Sequence, residues 1–472
     1  MIGRILLIAL SPLCLAVSFL AEDPLLKSAG WITGSVALYT ALYVREYFLL
    51  HLLGYIAGIV GIALFVQGKS WIWIFAGWEL VSVVAWILIV YPRGGTLRGL
   101  EIGVLTFLVN RIGDLFWLAA AFSEARFSIG FLIAGWIKAG LFPFTFWLIQ
   151  AMYAPAPISA LFHSALLVSL GVYGFLRYPT WLSGLDRSLI ELLAEGSGVF
   201  AAIGALSSRH PKVLLAWTTA SHLSGAMAIV ASPAPALNLL LHHAYLKAAL
   251  FLLLGLFYKQ RSPSLLLRSV SFLFTTLLIA SKRESHILAH IRETLMAVAL
   301  GRMWRLLGSR NHDESANWQK EVPFLLPILL LVIRGEVAFG LTWSLESLIP
   351  ILGLVGGAYW RTPISYRLDL IFIRVTQRLL HLWEEVGKKM TRVENFLKVN
   401  LENLSKHVVS LSNWIAKGET WSAHIGWKTI ASRTRQALAL LGVQGQKASY
   451  KEALQWGVLI TLMGAFTWRL LR

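Results

Sequence analysis

Apolar segments of about twenty residues follow one another along most of this chain, and this feature limits its fold more than any other. Each segment is long enough to cross the hydrocarbon core of a bilayer as a helix. About fifteen such segments can be counted, near residues 4–21, 29–49, 50–67, 71–91, 101–122, 128–151, 157–178, 189–207, 213–232, 236–258, 264–281, 286–307, 323–343, 346–360 and 453–471.

The composition supports a polytopic membrane protein. Of the 472 residues, 57% are hydrophobic and 14% are charged, whereas a soluble domain has about 25% charged residues. Periodicity does not locate the ends of the spans, because helices buried in lipid are apolar all round. Residues 1–21 imitate a secretory signal, with Arg4 before an apolar run, but we expect them to form the first span and see no cleavable presequence.

Charge and motif content exclude several classes of function. The net charge is +18, but the basic residues are scattered between the spans, which is typical of basic loops beside anionic lipid rather than of nucleic-acid binding. The sequence shows no phosphate-binding glycine loop, zinc-ligand spacing or nucleophile elbow. The single cysteine, Cys14, excludes a disulfide framework and a cysteine-ligated cluster.

Ionisable residues inside the apolar segments are the strongest functional signal. Glu79, Lys138 and Lys247 each have long apolar runs on both sides, and charges at such depth usually face a protein interior or a water path. His243 lies four residues before Lys247 and therefore shares a helix face with it. Pro143 disturbs the helix just beyond Lys138, as in broken helices that line cavities.

Further ionisable residues lie in or beside other spans, and these are His163, Lys212, His222, His242, Lys282 and Glu284. Glu, Lys and His on separate helices suggest a proton path, because each group can bind and release a proton. The alternative is a set of structural ion pairs or of lysines at helix ends. For Lys212 and Lys282, which lie near predicted helix ends, both interpretations remain open.

Residues 366–450 break the membrane pattern. Apolar residues from Leu368 to Ile415 recur in thirteen steps of three or four over 47 residues, about 3.6 per step, which is the period of an α-helix rather than of a coiled coil. We predict one long amphipathic helix, roughly 70 Å long, that lies along a membrane surface or along other helices. A last span, 453–471, follows it.

Three stretches of the first half resemble motifs of the antiporter-like subunits of respiratory complex I, most closely the distal subunit. These stretches are "GWELVSVVAWILI", which contains Glu79, "NRIGDLFWL", which contains Arg111 and Asp114, and "KAGLFPFTFWLIQAMYAPAPISALFHSALLVSLGVY", which contains Lys138 and His163.

The second half continues the resemblance. "KVLLAWTTASHLSG" begins at Lys212 and has His222 where the family usually has glutamine, "HHAYLKAALFL" contains His243 and Lys247, and "ASKRESHIL" places Lys282 at the second-half lysine. The long amphipathic helix with a final span is similar to the lateral helix of the distal subunit.

The resemblance implies an all-α polytopic membrane protein. It would have about 15 transmembrane helices, with two inverted five-helix repeats, an amphipathic lateral helix and a terminal transmembrane anchor. The implied organisation is N-terminal helices in 1–70, a first repeat in 71–178, a second repeat in 179–310, C-terminal helices in 311–365, the lateral helix in 366–450 and the anchor in 451–472.

The resemblance also implies a function, which is proton translocation in the membrane arm of NADH:ubiquinone oxidoreductase. The chain would carry no redox centre, metal or cofactor, with FMN, iron–sulfur clusters and ubiquinone in other subunits. Its partners would be neighbouring antiporter-like subunits and lipids such as cardiolipin, in the mitochondrial inner membrane or a prokaryotic plasma membrane. Arg111 and Pro143 would have structural or ion-pair roles, and the proton-translocating residues would be Glu79, Asp114, Lys138, His163, Lys212, His243, Lys247 and Lys282.

Two alternatives remain open. The same motifs occur in Mrp-type cation/proton antiporters and in related hydrogenase or carbon-uptake membrane subunits. A second alternative is a degenerate pump whose lateral helix only holds neighbouring subunits together, and Arg283, which stands where the family has an acid, favours it.

Overall fold

The structure is a computed structural model that describes residues 2–90, 96–123, 128–259, 287–308 and 322–339. All of these belong to the first of two compact units, Met1–Leu379 and Leu380–Arg472. The predicted lateral helix, the final anchor, the spans 264–281 and 346–360 and Lys282 lie outside the described residues. Those assignments, and the domain boundaries, stay predictions.

Within the described ranges the chain is helical, with no strand. Short 3₁₀ turns at Ala151–Tyr153 and Pro179–Leu182 connect some of the helices. The α-helices are α1 Ile2–Leu20, α2 Pro24–Tyr43, α3 Phe48–Gln67, α4 Trp71–Val90, α5 Leu97–Phe122, α6 Ser128–Lys138, α7 Thr145–Gln150, α8 Ala156–Phe162, α9 Val168–Arg177, α10 Arg187–Ser207, α11 Pro211–Ala228, α12 Pro233–Lys259, α13 Ile287–Gly308 and α14 Val322–Phe339.

Six of these helices are long and apolar enough to cross a membrane, namely α1, α3, α4, α5, α10 and α12. The chain is therefore a polytopic membrane protein. The α12 span differs from the other five, because 94% of it is buried inside the protein, against 28% to 50% for the others. It packs against α2, α8, α9, α11 and α14, so the helix with His243 and Lys247 is a central helix of the bundle.

The segment 128–151, predicted as one span, is divided just after Lys138. α6 ends at Lys138, Gly140 adopts φ +66°, and α7 begins at Thr145, beyond Pro143. Trp147 Nε1 donates to the Ile137 carbonyl at 2.9 Å, so a side chain satisfies a carbonyl freed at the break. The prediction that Pro143 disturbs this helix is confirmed.

The segment 157–178, also counted as one apolar span, is divided into two helices. α8 ends at Phe162 and α9 begins at Val168, with His163 in the break. Leu166 N donates to Leu161 O at 3.2 Å, which is the i−5 spacing of a π-type turn. The Ser164 hydroxyl donates to Ala160 O, so a serine side chain competes with the helical ladder. Neither proline nor glycine marks this break in the sequence.

Glycines allow close helix contacts around these breaks. A Cβ at Gly135 of α6 would lie 2.6 Å from the Gly171 carbonyl oxygen of α9. Small residues at helix crossings are common in membrane bundles, where packing replaces the hydrophobic effect. The two broken segments therefore lie directly against each other.

Candidate functional site

Four ionisable side chains from three helices form a first cluster, which we call the Lys138 cluster. Arg111 of α5 forms an ion pair with Glu79 of α4 and reaches Asp114 Oδ2 from its Nη2 at 2.8 Å. Asp114 Oδ1 lies 3.7 Å from the Nζ of Lys138, the last residue of α6. The order of contact is Glu79, Arg111, Asp114 and Lys138.

This order places two residues of α5 between Glu79 and Lys138. Arg111, for which a structural or ion-pair role was predicted, is the ion-pair partner of Glu79, and Asp114 is the partner of Lys138. The reason is the i,i+3 spacing of Arg111 and Asp114, which places both on one face of α5, between the other two helices.

Lys138 is also held by neutral groups that the sequence analysis did not single out. Its Nζ donates to the Ser82 hydroxyl at 2.6 Å and to the Trp78 carbonyl at 3.3 Å, and lies 4.2 Å from the centre of the Trp78 ring. Trp78 Nε1 donates to Asp114 Oδ1 at 2.6 Å. The sequence could have pointed to both residues, since Trp78 and Ser82 lie within one helical turn of Glu79.

Burial increases along the Lys138 cluster. The side chains of Glu79 and Arg111 are 19% and 18% exposed, whereas those of Asp114 and Lys138 are 5% and 1% exposed. A buried ammonium is tolerated when a carboxylate and other acceptors surround it. The cluster therefore leads from a half-buried carboxylate to a fully buried lysine.

A second cluster, which we call the His243 cluster, consists of the buried residues His222 of α11 and His243 and Lys247 of α12. His243 Nε2 donates to the His163 carbonyl at 3.2 Å, and its Nδ1 lies 3.2 Å from His222 Nδ1 of α11. A neutral His243 that donates from Nε2 accepts at Nδ1, so the His222 Nδ1–H is the donor of that pair. His222, His243 and the His163 carbonyl form a directed chain of hydrogen bonds.

Lys247 lies one helical turn after His243 and is held by α11. Its Nζ donates to the Thr218 hydroxyl and, at 3.3 Å, to the Leu215 carbonyl. Lys212, near the start of α11, donates to the Ala154 carbonyl. Lys212 and Lys247 are both close enough to interact electrostatically with the His163 ring.

Geometry brings most of the predicted site residues together, but in two groups. In the part of the chain that the structure describes, no hydrogen bond or ion pair joins Lys138 to His163. The buried Nδ1 of His163 makes no hydrogen bond there, and the hydrogen bond from His243 is accepted by the backbone carbonyl of His163. His222, an ionisable residue of the spans that was not among the predicted proton-translocating residues, contacts His243 directly.

A family model that matches part of the chain indicates the class of protein. Residues 123–281, about a third of the chain, match the family model described as NADH:quinone oxidoreductase/Mrp antiporter, transmembrane. This match contains Lys138, His163 and the His243 cluster and ends one residue before Lys282. A solved structure of the Mrp complex from Dietzia sp. DQ12-45-1b has a TM-score of 0.54 at 18% identity, and covers 98% of this chain and 63% of that chain. At this identity the likeness shows the fold alone.

The particular relatives are NADH–ubiquinone oxidoreductase chain 5 proteins. The chain is 30% identical to that of Lumbricus terrestris over 209 residues, which is 40% of this chain and 36% of the relative. It is 29% identical to that of Mytilus edulis over 266 residues (51% and 46%) and 31% identical to that of Anopheles gambiae over 221 (42% and 38%). The chain thus spans less than half the length of these relatives. The resemblance to the distal complex I subunit is confirmed.

Proposed function

We propose that this chain is a proton-translocating membrane-arm subunit of NADH:ubiquinone oxidoreductase. The observation that carries the proposal is the Lys138 cluster, in which a buried lysine at a helix break is linked through Asp114 and Arg111 to a half-buried glutamate. Such groups exchange protons when a neighbouring charge changes. The similarity to chain 5 proteins of several animals supports the same function.

The first step of the proposed mechanism is electrostatic. Quinone reduction in other subunits changes the charge around Glu79, and Arg111 and Asp114 pass this change to Lys138. A lysine whose carboxylate partner is drawn towards Arg111 loses part of the interaction that stabilises its proton. Lys138 then releases that proton towards the His243 cluster.

The second step uses the hydrogen-bond chain in the His243 cluster. A proton taken up at Nε2 of His222 lets the Nδ1 proton of His222 move to Nδ1 of His243, which becomes an imidazolium. The His163 carbonyl keeps its hydrogen bond from His243 Nε2–H and takes up no proton. Lys247 takes up the proton and, on this proposal, passes it towards Lys282. The charges of Lys212 and Lys247 both act on the ring of His163.

The finer assignments belong to the same proposal. The two inverted repeats would occupy 71–178 and 179–310 within about 15 transmembrane helices. The lateral helix would contact neighbouring antiporter-like subunits, and cardiolipin would be a lipid partner. FMN, iron–sulfur clusters and ubiquinone would reside in other subunits of the complex, in the mitochondrial inner membrane.

A second candidate is a subunit of an Mrp-type cation/proton antiporter. The observation that favours it is the family model described as NADH:quinone oxidoreductase/Mrp antiporter, transmembrane, which matches residues 123–281. A list by mass spectrometry of the proteins that co-purify in mild detergent separates the two. Flavin and iron–sulfur subunits support the complex I proposal, whereas membrane subunits without redox proteins support the antiporter.

The proton path is tested with Lys138→Met and Lys247→Met in the assembled complex. Each is expected to lower the number of protons translocated per electron, because methionine keeps the bulk of the side chain but carries no proton. The matched control is Lys259→Met, which removes an exposed lysine at the end of α12. Unchanged pumping in fully assembled Lys138→Met and Lys247→Met complexes would contradict the proposed path.

A further inference from the structure

A buried ion pair outside both clusters joins α10 to α13. Arg292 Nε donates to Glu195 Oε2 at 3.2 Å, with side-chain exposures of 0% and 6%. Neither residue was singled out in the sequence, where Glu195 follows an alanine in "ELLAEGSG" and Arg292 lies in "HIRETL". Burying two charges this deeply is costly, so the pair requires a physical reason.

The surrounding helices are shaped around the arginine. A Cβ at Gly225 of α11 would lie 2.6 Å from Arg292 Cζ, and one at Gly198 of α10 would lie 2.6 Å from Arg292 Cδ. Any larger residue at these positions would collide with the side chain. The guanidinium therefore occupies a space that two glycines keep open between α10 and α11.

Arg292 also contacts the backbone beside the His243 cluster. Its Nη1 donates to the Ser221 carbonyl of α11 at 3.0 Å, and the next residue is His222, whose Nδ1 lies 3.2 Å from His243 Nδ1. The Ser221 hydroxyl donates in turn to the Gly198 carbonyl at 2.9 Å. These contacts tie α10, α11 and α13 together at the level of His222.

The same part of α10 contacts the helix break behind Lys138. Ser197 Oγ accepts from Phe142 N at 2.9 Å, within the break between α6 and α7, and lies 3.1 Å from Ser224 Oγ of α11. One short stretch of α10 thus contacts both the break that follows Lys138 and the helix that carries His222.

We propose that Arg292, anchored by Glu195, is a positioning residue of the proton path, which holds α11 at Ser221 so that His222 stays in hydrogen-bond contact with His243. The inference rests on the proposed function. Arg292 does not carry the proton itself, because a guanidinium stays protonated in proteins. Its planar fork can bind Glu195 from Nε and Ser221 from Nη1 at once, which a lysine ammonium does not reproduce.

The first test is the double variant Glu195→Gln with Arg292→Met, in the full chain within its complex. Removing both charges together avoids leaving one buried charge uncompensated. We expect the assembled complex to transfer electrons but to translocate fewer protons per electron, by at least about twofold. A normal ratio of protons to electrons would show that the pair is only structural and would overturn the inference.

A second variant decides the question if the double variant does not assemble. Arg292→Lys keeps the positive charge beside Glu195 but not the simultaneous bond to Ser221, so it is expected to assemble and to lower the same ratio. An unchanged ratio would overturn the inference. Arg187→Met, at the exposed start of α10, is the matched control and is expected to leave the ratio unchanged.

Lys247→Met, measured in parallel, separates this inference from the proposed function. A normal ratio in Lys247→Met contradicts the proton path itself. A lowered ratio in Lys247→Met with normal ratios in the Arg292 variants contradicts only the positioning role of Arg292.

Discussion

The Lys138 cluster and the His243 cluster both surround a fully buried lysine, but they hold it by different means. Lys138 lies beside a carboxylate that is itself paired with an arginine. Lys247 donates to the hydroxyl of Thr218 and to a backbone carbonyl of α11. The comparison shows that a lysine at membrane depth can be held by compensating charge or by oxygens from a neighbouring helix, and the two should respond differently to substitution.

Asp114→Asn should have the largest effect, because the one carboxylate serves both Arg111 and Lys138. Removing it leaves the buried Lys138 without its carboxylate and Arg111 with Glu79 alone. Breaking a buried ion pair costs about 3–5 kcal/mol. We expect a lower thermal unfolding midpoint in detergent and loss of proton translocation. Asp186→Asn at the exposed N-cap of α10 is the control, since asparagine caps equally well. Equal stability of the two variants would show that charge compensation does not hold the Lys138 cluster.

Trp78→Phe should have the next largest effect. It removes the Nε1–H that donates to Asp114 at 2.6 Å but keeps an aromatic ring beside Lys138. A hydrogen bond to a charged group is worth about 1.5–3 kcal/mol. Trp117→Phe removes the same volume from a buried tryptophan whose Nε1 has no partner within the described residues. The difference between the two unfolding midpoints measures the hydrogen bond, and no difference would contradict its role.

Thr218→Val tests the His243 cluster. The isosteric change removes the hydroxyl that accepts from Lys247, and leaving a buried donor with fewer acceptors costs about 1–3 kcal/mol. We expect fewer protons translocated per electron. Thr219→Val is the matched control, since the Thr219 hydroxyl donates only to Leu215 O, at 2.9 Å. If both variants translocate protons equally well, Lys247 does not depend on the Thr218 hydroxyl.

Ser82→Ala should have the smallest effect, because Lys138 keeps Asp114 and the Trp78 carbonyl when the Ser82 hydroxyl is lost. A typical hydrogen bond contributes about 0.5–1.5 kcal/mol. Ser207→Ala, which removes a bond to the Ile203 carbonyl at 3.0 Å, is the control. A larger effect for Ser82→Ala than for Trp78→Phe, both measured as unfolding midpoints, would show that Ser82 rather than Asp114 dominates the Lys138 site.

Much of the candidate site could be predicted from the sequence, because a charge in an apolar run is conspicuous. Glu79, Lys138 and Lys247 stood out for this reason, and Pro143 marked the first helix break. The second break could not be predicted, because it depends on serine hydroxyls bonding to carbonyls rather than on proline or glycine.

The sequence could not predict which charged residues pair with each other either. Arg111 and Asp114 were recognised as a motif, yet their assignment to Glu79 and to Lys138 depends on where α5 lies between α4 and α6. Glu195 and Arg292 are 97 residues apart, and neither lies in a recognised motif. Gly198 and Gly225, which leave room for the guanidinium, could not be recognised in the sequence either, because glycine is frequent throughout the chain.

The sequence by itself determined that this protein lies in a membrane as a bundle of helices, because apolar segments of this length leave the backbone no other way to satisfy its hydrogen bonds in lipid. It also identified the ionisable side chains that are costly to place at membrane depth. Only the tertiary structure decided the partners of those side chains. Ion pairs and hydrogen bonds between helices depend on rotation, depth and crossing distance, which residues remote in the chain set together.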